Sequence, residues 1–167
     1  MKVGSKLVYP MHGAGVVTDV SVEDFFGEDL NFCTLSIVQK DMVLKFPESK
    51  ADELNIRNVS TMEEILDGIR EKKIDDYITS SNWNKRYQTT LAMLKEGKPS
   101  DISRVLVNLK SLDNIKGLSS GERQLYHNAL DILASEIMLI KDIKYEKACD
   151  LIENELQEVC GCEELSD

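Results

Sequence analysis

The chain has 167 residues, 42% of them hydrophobic, and a formal net charge of −10. That length suits one ordinary domain or two small ones, and that apolar content excludes disorder as the default. No apolar run could span a bilayer, Met1–Gly4 lead into strand-like sequence without the apolar stretch of a signal peptide, and the acidic balance argues against a general nucleic-acid coat; a cytoplasmic protein away from membranes is expected.

The first sixty residues read as strands. Lys6-Leu7-Val8-Tyr9 is short and stops at Pro10, and Gly13-Ala14-Gly15 is expected to make a tight turn. Val16 to Val22 is rich in β-branched residues. Phe25-Phe26-Gly27-Glu28-Asp29 reads as a loop. From Asn31 to Val38 the chain alternates, with Cys33, Leu35 and Ile37 on one face and Thr34 and Ser36 on the other. Lys40-Asp41 reads as a hairpin turn into Met42–Phe46, which Pro47 ends. Five short strands with tight turns predict a small bent sheet or barrel.

Near Ser60 the apolar period changes from two to about 3.6. Thr61 caps a helix with Ile65, Leu66 and Ile69 as its stripe, and Asn82 caps a second with Tyr87, Leu91 and Leu94. Gly97-Lys98-Pro99 breaks that helix, Ser100 is expected to cap a third, and Gly117 ends it. Ser119 to Glu122 form a capping box for a long helix, and an amphipathic segment follows from about Lys144 to Glu158. The fold class is therefore α+β in two modules: residues 1–60 in strands and residues 61–167 all-α with an acidic final helix. Each is large enough to hold its own core.

Charge is uneven. Residues 83–116 carry seven Lys/Arg against three acids, and residues 131–167 carry three lysines against eleven acids. A basic stretch inside an acidic chain suits a protein brought to DNA by a partner better than one that finds DNA alone. That stretch opens with Trp83-Asn84-Lys85-Arg86-Tyr87, which contains the only tryptophan. A flat ring beside cations can wedge into a minor-groove base step while the cations hold phosphates. Tryptophans are mostly buried, so residue type alone favours a core position for Trp83, and Lys85 and Arg86 could be a solvated face. Arg104 and Lys110 are secondary phosphate candidates by helix spacing. No phosphate-cradling glycine loop, nucleophile–base pattern or isolated carboxylate dyad occurs, so no catalytic residue, cofactor or small-molecule substrate is expected. His12, in a Pro-x-His-Gly turn, reads as a turn-stabilising hydrogen bonder. Cys160-Gly161-Cys162 could bind a soft metal or form a redox pair, but lacks nearby partners in sequence, so no metal site is expected.

Several segments resemble the CarD/CdnL family of bacterial transcription regulators. They are Lys6–Gly15, Phe46–Ala51 with Asn55–Val59, Trp83–Tyr87, Ser103–Leu109 and Gly117–Arg123, in order across roughly residues 1–140. The resemblance implies that the first module is Tudor-like and docks on the RNA polymerase β subunit. It implies that the helical module lies on promoter DNA at the upstream edge of the transcription bubble. Trp83 would be the minor-groove wedge that keeps the bubble open, with Lys85 and Arg86 on flanking phosphates. Lys45 aligns with a basic residue of the polymerase-facing surface. Glu23-Asp24-Phe25-Phe26 stands where the family often has a basic contact, so this loop is expected either to meet a differently charged lobe or to anchor through Phe25 and Phe26 instead. The chain is expected to act as a monomer. A purely protein-binding adaptor on the polymerase is the alternative.

Overall fold

The computed structural model describes residues 1–161. Five antiparallel strands, β1 (Lys6–Tyr9), β2 (Gly13–Phe25), β3 (Glu28–Ile37), β4 (Met42–Pro47) and β5 (Arg57–Asn58), form one sheet in the order β4-β3-β2-β1-β5. Five helices follow: α1 (Met62–Arg70), α2 (Trp83–Glu96), α3 (Pro99–Lys116), α4 (Ser120–Lys141) and α5 (Tyr145–Cys160).

Two expected turns are in fact strand. Gly13-Ala14-Gly15 opens β2 and is buried; the turn before it is made at Met11, whose φ is 67°. These glycines serve close approach. A Cβ at Gly15 would collide with the Ser36 backbone, and one at Gly13 would press on Ser135 Oγ. The expected loop at 25–29 is the tip of a long hairpin. β2 runs to Phe25, β3 starts at Glu28, and only Phe26 and Gly27 turn, both with positive φ (55° and 86°). Positive φ at both residues marks the primed turn whose twist suits a two-residue hairpin.

Helix starts follow local chemistry. Thr61 and Ser119 each close a reciprocal capping box, with Glu64 and Glu122. Asn82 accepts from Lys85 N–H at 3.2 Å. The third helix departs from expectation. It begins at Pro99 with Lys98 before it, and Ser100 lies inside its first turn. Proline at the first helical position has its φ already set and loses no hydrogen bond there.

Each module has its own core, and the sheet lends two residues to the helical one. β1 alternates, so Leu7 joins Val17, Cys33, Leu35, Ile37 and Phe46 in a sheet core while Val8 turns into the helical core with Ala14. The long helix α4 is the shared wall. Ser135 Oγ accepts from Ala14 N–H at 2.8 Å, and Asn128 donates to Met11 O at 3.0 Å. Glu136, fully buried, takes both ends of the Arg57 guanidinium at 2.7 and 3.0 Å and also the Ser60 N–H at 2.8 Å. One carboxylate thereby ties the last strand, the inter-module link and α4 together.

Candidate functional site

Trp83 is the first residue of α2 and is 44% exposed, so it is not a core residue. Its Nε1 donates to Ser119 Oγ at 2.7 Å, and its ring stacks on Tyr87 one turn on, with centroids 5.2 Å apart and planes 23° apart. The indole lies over Gly121 near the start of α4, where an added Cβ would sit 3.3 Å from it. The absence of a side chain at 121 leaves the room the ring occupies.

Arg86 departs from the expected phosphate-facing role. It is 5% exposed, with Nε donating to Glu122 Oε1 at 2.8 Å and Nη1 to Ser80 O at 2.6 Å. The cause is helical spacing: three residues after Trp83, Arg86 faces the same α4 terminus and finds the Glu122 carboxylate there. Burial works to raise the Glu122 carboxyl, but the hydrogen bonds from Arg86 and Ser119 outweigh it and hold it below the usual range. Lys85 is exposed and makes no ion pair among the described residues.

The rest of the basic stretch is largely neutralised. Arg104 pairs with Asp75 and Asp101, Lys98 with Glu96, and Lys110 lies 4.0 Å from Glu153. Arg104 and Lys110 are thus committed inside the helical module rather than presented to an anion.

The second cluster of expected residues sits at the hairpin. Phe25 is 52% exposed and Phe26, at the tip, 92%. Their rings meet edge-on with centroids 4.7 Å apart, and Phe32, on β3, lies 6.3 Å from Phe25. Lys45 is held by Glu23 from β2 and lies 5.4 Å from the centroid of Phe32. The Lys45 ammonium, helped by the Ser21 hydroxyl, keeps the Glu23 carboxyl below its usual range. Lys45, Phe25 and Phe26 therefore belong to one aromatic, partly charged surface, which Phe32 completes.

Residues 1–60 match the family model described as the CarD-like/TRCF RID domain, and residues 64–153 match the CarD C-terminal domain. The chain belongs to the CarD family. It is also similar to the Bacillus subtilis (strain 168) protein described as "Putative transcription factor YdeB", with 27% identity over 145 residues, 85% of this chain and 93% of that one. The sheet of this CarD-family chain is accordingly the Tudor-like module and its helices the C-terminal module.

Sequence reading missed Ser119, Gly121 and Glu122 as part of the tryptophan site, although it identified the capping box. Their link to Trp83 spans 36 residues and leaves no local signal. Phe32 was legible: period-two alternation sets it opposite Cys33, on the solvent face. Among the described residues no group of three or more His, Cys, Asp or Glu side chains is placed to hold a metal. Cys160 is buried, with its Sγ 3.9 Å from Ser111 Oγ; Cys162 lies outside the described residues. No helix among the described residues is long and apolar enough to cross a membrane.

Proposed function

We propose that this CarD-family protein is a cytoplasmic, non-enzymatic regulator that bridges the RNA polymerase β subunit and promoter DNA. The hairpin surface of Phe25, Phe26, Phe32 and Lys45 seats the Tudor-like module on the β subunit. Trp83 enters the minor groove at the upstream edge of the bubble, with Lys85 on a flanking phosphate. Arg86 is left out of the phosphate contacts because its guanidinium is already engaged.

The observation that carries this reading is that Trp83 is half exposed yet held in place. A core tryptophan would be covered, whereas this one keeps an open face while a hydrogen bond, a stacked ring and a glycine seat hold it. Energetically, the tether raises the effective concentration of the helical module at DNA, so the weak intrinsic affinity of an acidic protein suffices. Preference for the open bubble requires stronger contact with that state, and an unstacked step accepts a ring more readily than a closed one.

The test is the lifetime of open promoter complexes formed with the cognate polymerase. The protein lengthens it, and Trp83→Ala, though folded, shortens it back toward the factor-free value. Equal lifetimes with wild type, with the variant and without either would remove the wedge. A second reading, an adaptor without DNA contact, is favoured by one observation: four of the seven cations in residues 83–116 already face carboxylates. Salt-dependent binding to forked DNA separates the two readings, since only the bridge shows it.

A further inference from the structure

We propose that Ser119, itself held by Glu122 and Arg86, is a positioning residue that fixes the Trp83 indole in its working pose. The inference rests on the wedge reading above and adds how the ring is aimed.

The hydrogen bonds form a closed circuit between two helix starts. Ser119 Oγ donates to Glu122 Oε2 at 2.9 Å and accepts from the Glu122 N–H at 3.2 Å. With its proton committed, the hydroxyl offers its remaining lone pair to Trp83 Nε1 at 2.7 Å. The other oxygen of Glu122 is held by Arg86 Nε, and Arg86 returns to the chain just before α2 through Ser80 O. Trp83 and Arg86 lie three residues apart on α2, so one carboxylate on α4 organises both. Tyr87 backs the ring face and Gly121 admits it.

The circuit has a directional consequence. It turns the Nε1–Cζ2 edge of the indole toward α4 and leaves the carbon edge pointing away. An apolar edge is what an inserting side chain needs, because its only donor would otherwise have to be desolvated between bases. Fixing two side-chain torsions beforehand also removes the ordering penalty from the encounter with DNA. The capping box thus does two jobs, starting α4 and aiming a residue on another helix.

Trp83 is the only tryptophan, so its fluorescence reports the indole alone. Ser119→Gly removes the acceptor while glycine still serves acceptably as a helix cap; Ser119→Thr keeps both. Full-length wild type and both variants would be compared by time-resolved fluorescence anisotropy and by open-complex lifetime. Expected are a larger fast depolarisation in Ser119→Gly and a complex lifetime reduced about fivefold, the net size of one hydrogen bond, with both restored in Ser119→Thr. Fast depolarisation equal to wild type in Ser119→Gly would overturn the proposal, as would a freed indole with an unchanged lifetime. If Trp83→Ala leaves the lifetime unchanged, the wedge reading fails and this proposal with it. A loss in Trp83→Ala beside wild-type behaviour in Ser119→Gly brings down the positioning role alone.

Discussion

Two exposed aromatic sites stand on opposite modules, and they are built differently. Phe26 is 92% exposed on a two-residue turn with φ of 55°, supported by the edge of Phe25. Trp83 is 44% exposed and is held by a hydrogen bond to Ser119 and a ring stack on Tyr87. The hairpin tip is a surface that a partner can shape on contact. The indole is already held in one orientation. A tether needs adhesion over an area, whereas an inserting ring needs one orientation.

The comparison can be broken most severely at the bond that joins the two modules. Glu136→Ala leaves Arg57 without its buried carboxylate and should lower stability by about 3–5 kcal/mol in urea unfolding. Both proposed contacts should weaken together in it, since the carboxylate that holds Arg57 and Ser60 to α4 is gone. Arg86→Ala acts on one side only. It strands the buried Glu122 carboxylate, should lower stability by about 3 kcal/mol, and should loosen the indole while the hairpin keeps its polymerase binding. The same pair leaves a pH signature. The Glu122 carboxyl is depressed in the folded state, so its contribution is complete above the unfolded carboxyl value of about 4.3. It is lost as pH falls through the lower folded value. Acid titration followed by Trp83 fluorescence should therefore show a transition in wild type that is absent from Glu122→Gln.

Smaller changes sharpen the hairpin side. Phe26→Asn suits positive φ better and should stabilise the fold by about 1 kcal/mol while weakening polymerase binding. A gain in melting temperature with undiminished binding would show that the Phe26 ring is not an anchor. Lys45→Ala breaks an exposed pair with Glu23 and should change stability by less than about 1 kcal/mol. Its expected effect is on the salt dependence of polymerase binding.

The sequence made visible what is decided over a few residues. Thr61, Asn82 and Ser119 cap helices because each side-chain oxygen reaches a backbone N–H three residues on. Gly97 stops α2 with a φ of 71°. Errors arose where one residue type has two uses. Gly15 fits a turn, but serves close packing against Ser36, while Gly13 both leaves the turn with a φ of 112° and packs on Ser135. Arg86 fits a phosphate contact, but Glu122, 36 residues away, claims it. Proximity created by folding decides both, and no window along the chain contains it. Trp83 is recognisable as a candidate site because it is the only tryptophan and heads a helix beside cations. How it is held is not.

The buried clasp between Arg57 and Glu136 gives the molecule a set span, like a caliper locked at one opening. A DNA duplex advances about 3.4 Å and turns about a tenth of a revolution per base pair. On the bridging function proposed above, a caliper seated on polymerase would meet the groove in one phase and would not follow a bubble edge that creeps by a step. Without that clasp the bonds from Ala14 and Met11 to α4 would still join the jaws, but with more play, so that on the same reading neighbouring steps would be reached and each held less well.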